Sequence, residues 1–193
     1  MGSQVHGAQK FESAKRAEHK FSDEAMKTVE TSISRYPLGK QKSALLPVLH
    51  VAQAEFGGWL SPETMDYVAS ILNIKPIEVF EVASFYTMYN LKPVGKCVLE
   101  VCQTSSCWLN GAEDIVKYIE KKLNIKVGET SKDGMFTLKV AECLGSCGTA
   151  PMMQCGASFH ENLTYAKIDS ILEDYKASGK QRSYTDLDYK NTL

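Results

Sequence analysis

From about residue 22 to residue 90 the apolar positions recur every three or four residues, the period of helices that bury one face. Ser22 reads as a helix cap followed by Asp23 and Glu24, where negative charge suits the helix dipole. Met26, Val29 and Ile33 then share a face, and Pro37 with Gly39 supplies the stop. A second helix is predicted over about Lys42 to Phe56, ending at Gly57-Gly58, with Pro47 either kinking it or marking its true first turn. Ser61-Pro62-Glu63 is a hydroxyl cap, a proline and an acid, and Met65, Val68, Ile71 and Leu72 follow at helical spacing. Pro76 opens a fourth helix to about Phe85, with Ile77, Phe80 and Val82 expected partly buried. Four short helices with short connections predict a small bundle.

After Asn90 the period changes. Lys96 to Val101 reads as a strand leading into Cys102, and residues 111–123 as a helix with Ile115, Val116, Ile119 and Leu123 on one side. Phe136 to Ala141 alternates as a strand that delivers Cys143. Met152 to Cys155 and Ala157 to His160 predict a hairpin turning at Gly156, and Thr164 caps a last helix carrying Ile168, Ile171, Leu172 and Tyr175. Strand–helix–strand–strand–strand–helix suits a small α+β sheet with helices packed on it. The expected organisation is an N-terminal arm (1–21), a helical bundle (22–92), the sheet domain (93–178) and a polar surface tail (179–193). The arm is polar and mixed in charge, and is expected to be mobile.

Composition narrows the function classes. With 193 residues, 44% hydrophobic and 23% charged, the chain is long enough for a real core. A formal net charge of −1 and the absence of basic stretches argue against nucleic-acid binding. No apolar run is long enough for a bilayer, and the N-terminus lacks the apolar core of a secretory signal. Glu12 and Glu18 disfavour a mitochondrial presequence. Six cysteines without a signal peptide point to a reducing compartment, where clustered thiols serve as metal ligands or redox groups. Asn162-Leu163-Thr164 is then not expected to be glycosylated.

Four of those cysteines form a pattern: Cys102 and Cys107 as C-x4-C, Cys143 and Cys147 as C-x3-C. Both pairs follow predicted strands, so neighbouring loops can bring four thiolates to one point. Gly145 and Gly148 let the backbone turn tightly and aim amide N–H groups at sulfur. Such donors offset the negative charge of an all-thiolate iron–sulfur cluster and, with solvent exposure, help set its potential. Zinc sites of four cysteines favour C-x2-C knuckles, and disulfide exchange wants C-x-x-C, which the chain lacks. A plant-type ferredoxin needs a third early cysteine. Spacing therefore favours a 2Fe–2S cluster, while zinc and structural or redox thiols stay open. Cys97 and Cys155 sit among apolar neighbours, where a thiol acts as a small hydrophobe.

The stretches Val101-Cys102-Gln103-Thr104-Ser105-Ser106-Cys107 and Glu142-Cys143-Leu144-Gly145-Ser146-Cys147-Gly148-Thr149-Ala150-Pro151 resemble the thioredoxin-like 2Fe–2S subunit family of NADH:quinone oxidoreductase, respiratory complex I. Lys121 to Lys126, Asp133 to Leu138, Lys42 to His50 and Ala83 to Tyr86 are similar too, so the likeness spans about residues 22–178. It implies a helical bundle followed by a thioredoxin-like domain, with Cys102, Cys107, Cys143 and Cys147 binding one 2Fe–2S cluster. It further implies docking on a flavoprotein subunit that holds FMN, oxidises NADH and carries a 4Fe–4S cluster, beside other peripheral-arm subunits. The expected location is cytoplasmic, at the inner face of the membrane through the complex (the matrix side in a mitochondrion), without membrane insertion of its own. The chain then has no substrate site and its cluster exchanges single electrons with the flavin. NAD-reducing or electron-bifurcating hydrogenases and NAD-dependent formate dehydrogenases use the same subunit type. The alternative of another class is a zinc-stabilised interaction module.

Several other residues have simpler expectations. His50, in an apolar helix, reads as a packed or capped histidine rather than a ligand, and His160 as exposed. Trp108 either shields the metal site, faces a partner or packs in the interior. Pro151 is a candidate for the cis-proline of thioredoxin-like folds. No Gly-x-Gly-x-x-Gly occurs and Gly39-Lys40 lacks the rest of a phosphate loop, so NAD binds elsewhere.

Overall fold

The computed structural model describes residues 20–183 and 185. The expected mobile arm therefore lies outside the described residues except at its end, where Phe21 is buried rather than solvated. Its ring stacks on Phe56 at 5.4 Å between centroids and tilts against Tyr67 at 5.3 Å.

Helices α1 (Asp23–Ser34), α2 (Leu45–Glu55), α3 (Pro62–Leu72) and α4 (Pro76–Phe85) form the bundle. The caps act as their residue types dictate. Ser22 Oγ accepts from the Ala25 N–H and Ser61 Oγ from the Thr64 N–H, each satisfying an otherwise orphaned donor. A short 3-10 turn, Gln41–Ala44, precedes α2, so Pro47 falls in the first turn of α2, where its missing N–H costs nothing. Val29, Val48, Leu49, Leu60, Val68 and Leu72 are fully buried at the centre of this core. α4 corrects one expectation. It turns Val79 and Ala83, four residues apart, into the bundle, so Ile77 (56% exposed) and Phe80 (47% exposed) face away, and only Val82 of the expected three is partly buried.

A four-stranded sheet follows in the order β2-β1-β3-β4, with β1 Cys97–Cys102, β2 Phe136–Ala141, β3 Met153–Cys155 and β4 Ser158–His160. β1 and β2 are parallel, and β3 runs antiparallel to both β1 and β4. Between β1 and β2 the chain forms a short helix α5 (Ser105–Leu109) and then α6 (Ala112–Leu123); α7 (Tyr165–Ser178) follows β4. Alternation puts Cys97, Leu99 and Val101 of β1 and Phe136 and Leu138 of β2 in one core with Ile115, Ile119, Ile168 and Leu172 of α6 and α7. The opposite face turns toward the bundle, where Lys139 Nζ donates to Asn90 Oδ1 at 2.5 Å. Asn90 is itself held by Gln53 Oε1 on its N–H (2.7 Å), and its side-chain amide donates to the Gly58 carbonyl (2.8 Å).

The start of the tail is packed, contrary to the expectation that it lies on the surface. The Arg182 N–H donates to the Lys96 carbonyl (2.8 Å), and its guanidinium lies over the Tyr175 ring. Gly156 sits so close beneath it that a Cβ there would lie 2.7 Å from the Ser183 carbonyl oxygen. Among the described residues no helix is long and apolar enough to cross a membrane.

Candidate metal centre

Parallel neighbours end at the same edge of a sheet, and that fact assembles the site. In the β1–β2 register Cys102 stands opposite Ala141, two residues before Cys143. The Gln103 N–H extends the ladder by one bond to the Ala141 carbonyl (3.0 Å) before the two chains part. Beyond that point α5, a helical turn that no sequence pattern marks, lifts Cys107 back toward Cys102. Its first bonds run from the Cys107 N–H (2.8 Å) and the Trp108 N–H (3.0 Å) to the Thr104 carbonyl. Gly111, at φ 87°, permits the break between α5 and α6.

From the other strand, Cys143 and Cys147 emerge on a loop that bends at Gly145 (φ 80°) and tightens into a 3-10 turn, Cys147–Thr149. The two pairs differ in exposure: Cys102 and Cys107 are buried, whereas Cys143 and Cys147 are exposed, and all four are free thiols. Cys102, Cys107, Ala112 and Met152 make a small separate core, with Leu144 and Ala150 packed against it.

Backbone donors converge on the buried sulfurs. Burial pushes the Cys102 thiol up, but N–H groups of Thr104 and Leu144, with the Cys107 and Thr104 side chains, outweigh it and hold it below the usual thiol range. Leu144 belongs to the second loop, so the two loops meet at this sulfur. Cys107 is pushed up to about 11 by burial and by its contact with Cys102, against the opposing Met152 N–H; Cys147 lies near enough to add to the rise. Two thiols in contact do not both ionise cheaply.

Among the described residues no three His, Cys, Asp or Glu side chains close around a single ion.

Cys97 and Cys155 stay apart from this constellation, sealed in the sheet core as expected for small hydrophobes. Contact with Cys97 and burial push the Cys155 thiol far up. Trp108 is 56% exposed and its indole N–H donates to Glu113 Oε1 at 3.1 Å, so it does not pack in the interior. His50 is half-buried against the Tyr89 ring at 5.0 Å, in keeping with a packing role. His160 departs from expectation: it is partly buried rather than exposed, with Nε2 2.6 Å from Tyr175 Oη. The Ala150–Pro151 peptide is cis, as the place of Pro151 after the second cysteine pair suggests.

The supports of the site do not show in the sequence. Met152 fills the space under both loops, and its carbonyl accepts the Cys102 N–H at 3.1 Å. Glu161, from the segment between β4 and α7, accepts hydrogen bonds from Ser146 Oγ and, at 2.8 Å, from Thr149 Oγ1. These two hydroxyls hold its carboxyl below the usual range. No local pattern marks either residue, because their partners are remote in sequence.

Such a sheet, with α6 and α7 packed on it and two cysteine loops at one edge, defines a thioredoxin-like fold. The profile of the thioredoxin-like [2Fe-2S] ferredoxin family matches residues 29–176. The chain belongs to that family, whose cofactor is a 2Fe–2S cluster. It is 45% identical over 155 residues to the E subunit of the NADH-quinone oxidoreductase of Rickettsia typhi, covering 80% of this chain and 91% of that protein. The mitochondrial NADH dehydrogenase [ubiquinone] flavoprotein 2 of Dictyostelium discoideum is 44% identical over 156 residues, covering 81% of this chain and 63% of that one. Among solved structures, an NAD+-reducing [NiFe]-hydrogenase in the air-oxidized state superposes with a TM-score of 0.60 at 19% identity. That match covers 69% of this chain and 23% of the hydrogenase chain, and it shows the fold alone.

Proposed function

We propose that the chain is the 2Fe–2S electron-transfer subunit of an NADH:quinone oxidoreductase of the complex I type. Cys102, Cys107, Cys143 and Cys147 are its cluster ligands, and it exchanges single electrons with the FMN of a partner flavoprotein that oxidises NADH. The observation that carries this is the meeting of two cysteine loops at the ends of the parallel strands β1 and β2, where Leu144 of one loop donates to Cys102 of the other. The 45% identity to the Rickettsia typhi protein along 80% of the chain supports the assembly.

When bound, the cluster takes up and returns one electron at a time. The chain's own residues do the rest. The N–H groups of Thr104 and Leu144 on Cys102 Sγ, and of Met152 on Cys107 Sγ, stabilise negative charge on the buried sulfurs. Met152 and Ala112 exclude water from that side, while Cys143 and Cys147 remain on the open side. We further propose that the division into a bundle (22–92) and a cluster domain (93–178) is a division into domains, each with its own core. The partner supplies FMN, NADH and a 4Fe–4S cluster, and no substrate site is assigned to this chain. Its place is the cytoplasmic or matrix side of the membrane, through the complex.

Purification of the tagged full chain from its own cells tests this. The expected result is a co-purifying flavoprotein with NADH-oxidising activity, and reduction of the cluster on adding NADH, read as the appearance of its paramagnetic signal. Recovery of a hydrogenase or formate dehydrogenase instead moves the chain to that assembly. A colourless zinc protein without flavoprotein overturns the proposal.

A further inference from the structure

Two hydroxyls of the turn that carries Cys147 meet at one carboxylate oxygen. Ser146 and Thr149 flank the cysteine, and both hydroxyls donate to the same atom, Glu161 Oε1, the second at 2.8 Å. The hydroxyl oxygens are 2.7 Å apart, and the Thr149 N–H closes the turn on the Ser146 carbonyl at 3.2 Å. Each hydroxyl has one proton; Thr149 Oγ1 also lies 3.1 Å from the Ser146 carbonyl, but the carboxylate is the nearer and charged acceptor and can take both. Glu161 is anchored in turn. The Asn162 N–H donates to the Thr149 carbonyl (2.7 Å) and the Leu163 N–H to the Pro151 carbonyl (2.9 Å), so the backbone around Glu161 is stitched to the segment just after Cys147. Lys167 Nζ binds the Glu161 carbonyl at 2.5 Å.

Cys147 itself is exposed and receives no such packing as Cys102 and Cys107 have. An exposed ligand on a short turn depends on that turn for its direction. A negative carboxylate placed beside an anionic centre also disfavours adding a further electron to it.

We propose that Glu161 is a positioning residue of the metal centre: its carboxylate staples the Cys147 turn through Ser146 and Thr149, and its charge lowers the reduction potential of the cluster. The inference rests on the cluster ligation proposed above.

The test uses the full chain with its cluster, as wild type, E161Q and E161A, with folding checked by circular dichroism. Gln keeps an oxygen that can accept both hydroxyls but removes the charge. E161Q is therefore expected to keep the g-values of the reduced cluster and its retention, with a higher midpoint potential. E161A frees the turn; iron release to a chelator is expected to be about 10-fold faster or more, with altered g-values. Should E161A misfold, T149V removes one arm of the staple at nearly constant shape and is expected to release iron faster as well. An E161Q potential equal to wild type, or release from the folded loosened variant at the wild-type rate, overturns the inference while the ligation stands. A wild-type protein that holds no iron–sulfur cluster overturns the ligation, and this inference with it.

Discussion

Met152 is the residue whose loss most directly separates the packing of the site from its ligands. It is fully buried, and its small core contains Cys102, Cys107 and Ala112 but none of the large side chains of the sheet core. Met152→Ala removes three heavy atoms beyond Cβ; at ~0.8 kcal/mol for each buried group this is about 2.4 kcal/mol of transfer free energy. A cavity cost adds to it, and measured Met→Ala changes in cores run about 2–5 kcal/mol. Two loops form the wall here, and loops collapse more readily than packed helices, so about 2–3 kcal/mol is expected. For a chain of this size that is roughly 5–10 °C in melting temperature. Met152→Leu nearly conserves volume and is expected to cost less than about 1.5 kcal/mol. Thermal melting followed by circular dichroism gives the stability, and bleaching of the visible cluster bands below the melt gives the rate of cluster loss. M152A is expected to bleach faster than wild type and M152L to stay close to it. An M152A melt within about 1 °C of wild type, or M152L as unstable as M152A, would refute the assignment of Met152 as the filler beneath the two loops.

Other expectations concern the rest of the fold. A Cβ at Gly95 would stand 2.9 Å from backbone atoms of Met135 and Phe136, which cannot rotate away, so G95A is expected to cost about 1–3 kcal/mol and to lower the melting temperature by several degrees; an unchanged melt contradicts the close approach. His160 is lowered by burial first and then by Lys167 and Arg182, so its folded pKa lies below the unfolded value near about 6.5. The unfolded chain then binds the proton more readily, and stability that is full above about pH 6.5 is lost as the pH falls through the folded pKa. H160Q is expected to flatten part of that acid-side loss in denaturant titrations from about pH 7.5 to about pH 5.5; a slope equal to that of wild type contradicts it.

The elements that follow directly from periodicity are those with enough length to show it. β2 occupies Phe136–Ala141 as the alternation indicates, and α7 starts after Thr164 and buries Ile168, Ile171, Leu172 and Tyr175. The caps at Ser22, Ser61 and Thr164 are legible because the hydroxyl must sit at one position to reach its amide. α5 is not, since five residues are too few to display a helical period. α4 is apolar on several sides, so only the packing of Val79 and Ala83 against the bundle decides its buried face. The cysteine pairs point to a metal centre through their spacing and strand ends. The meeting of their two loops depends on β1 and β2 being parallel neighbours, a long-range choice that neither strand encodes alone. The packed ends, Phe21 on Phe56 and Arg182 on Tyr175, look solvated in sequence because their polar neighbours hide a partner that lies elsewhere in the fold.

Iron, acid-labile sulfide and zinc analysis of the purified full chain, with paramagnetic resonance before and after reduction, tests the metal centre most directly. Wild type and the single Cys→Ser variants at all six cysteines belong in one series. The expected result is about two irons and two sulfides per chain, with a signal only in the reduced protein. Cluster loss or altered spectra are expected for C102S, C107S, C143S and C147S, and wild-type spectra for C97S and C155S. Stoichiometric zinc without sulfide, or a cluster lost in C97S or C155S but unperturbed in C102S, would contradict it.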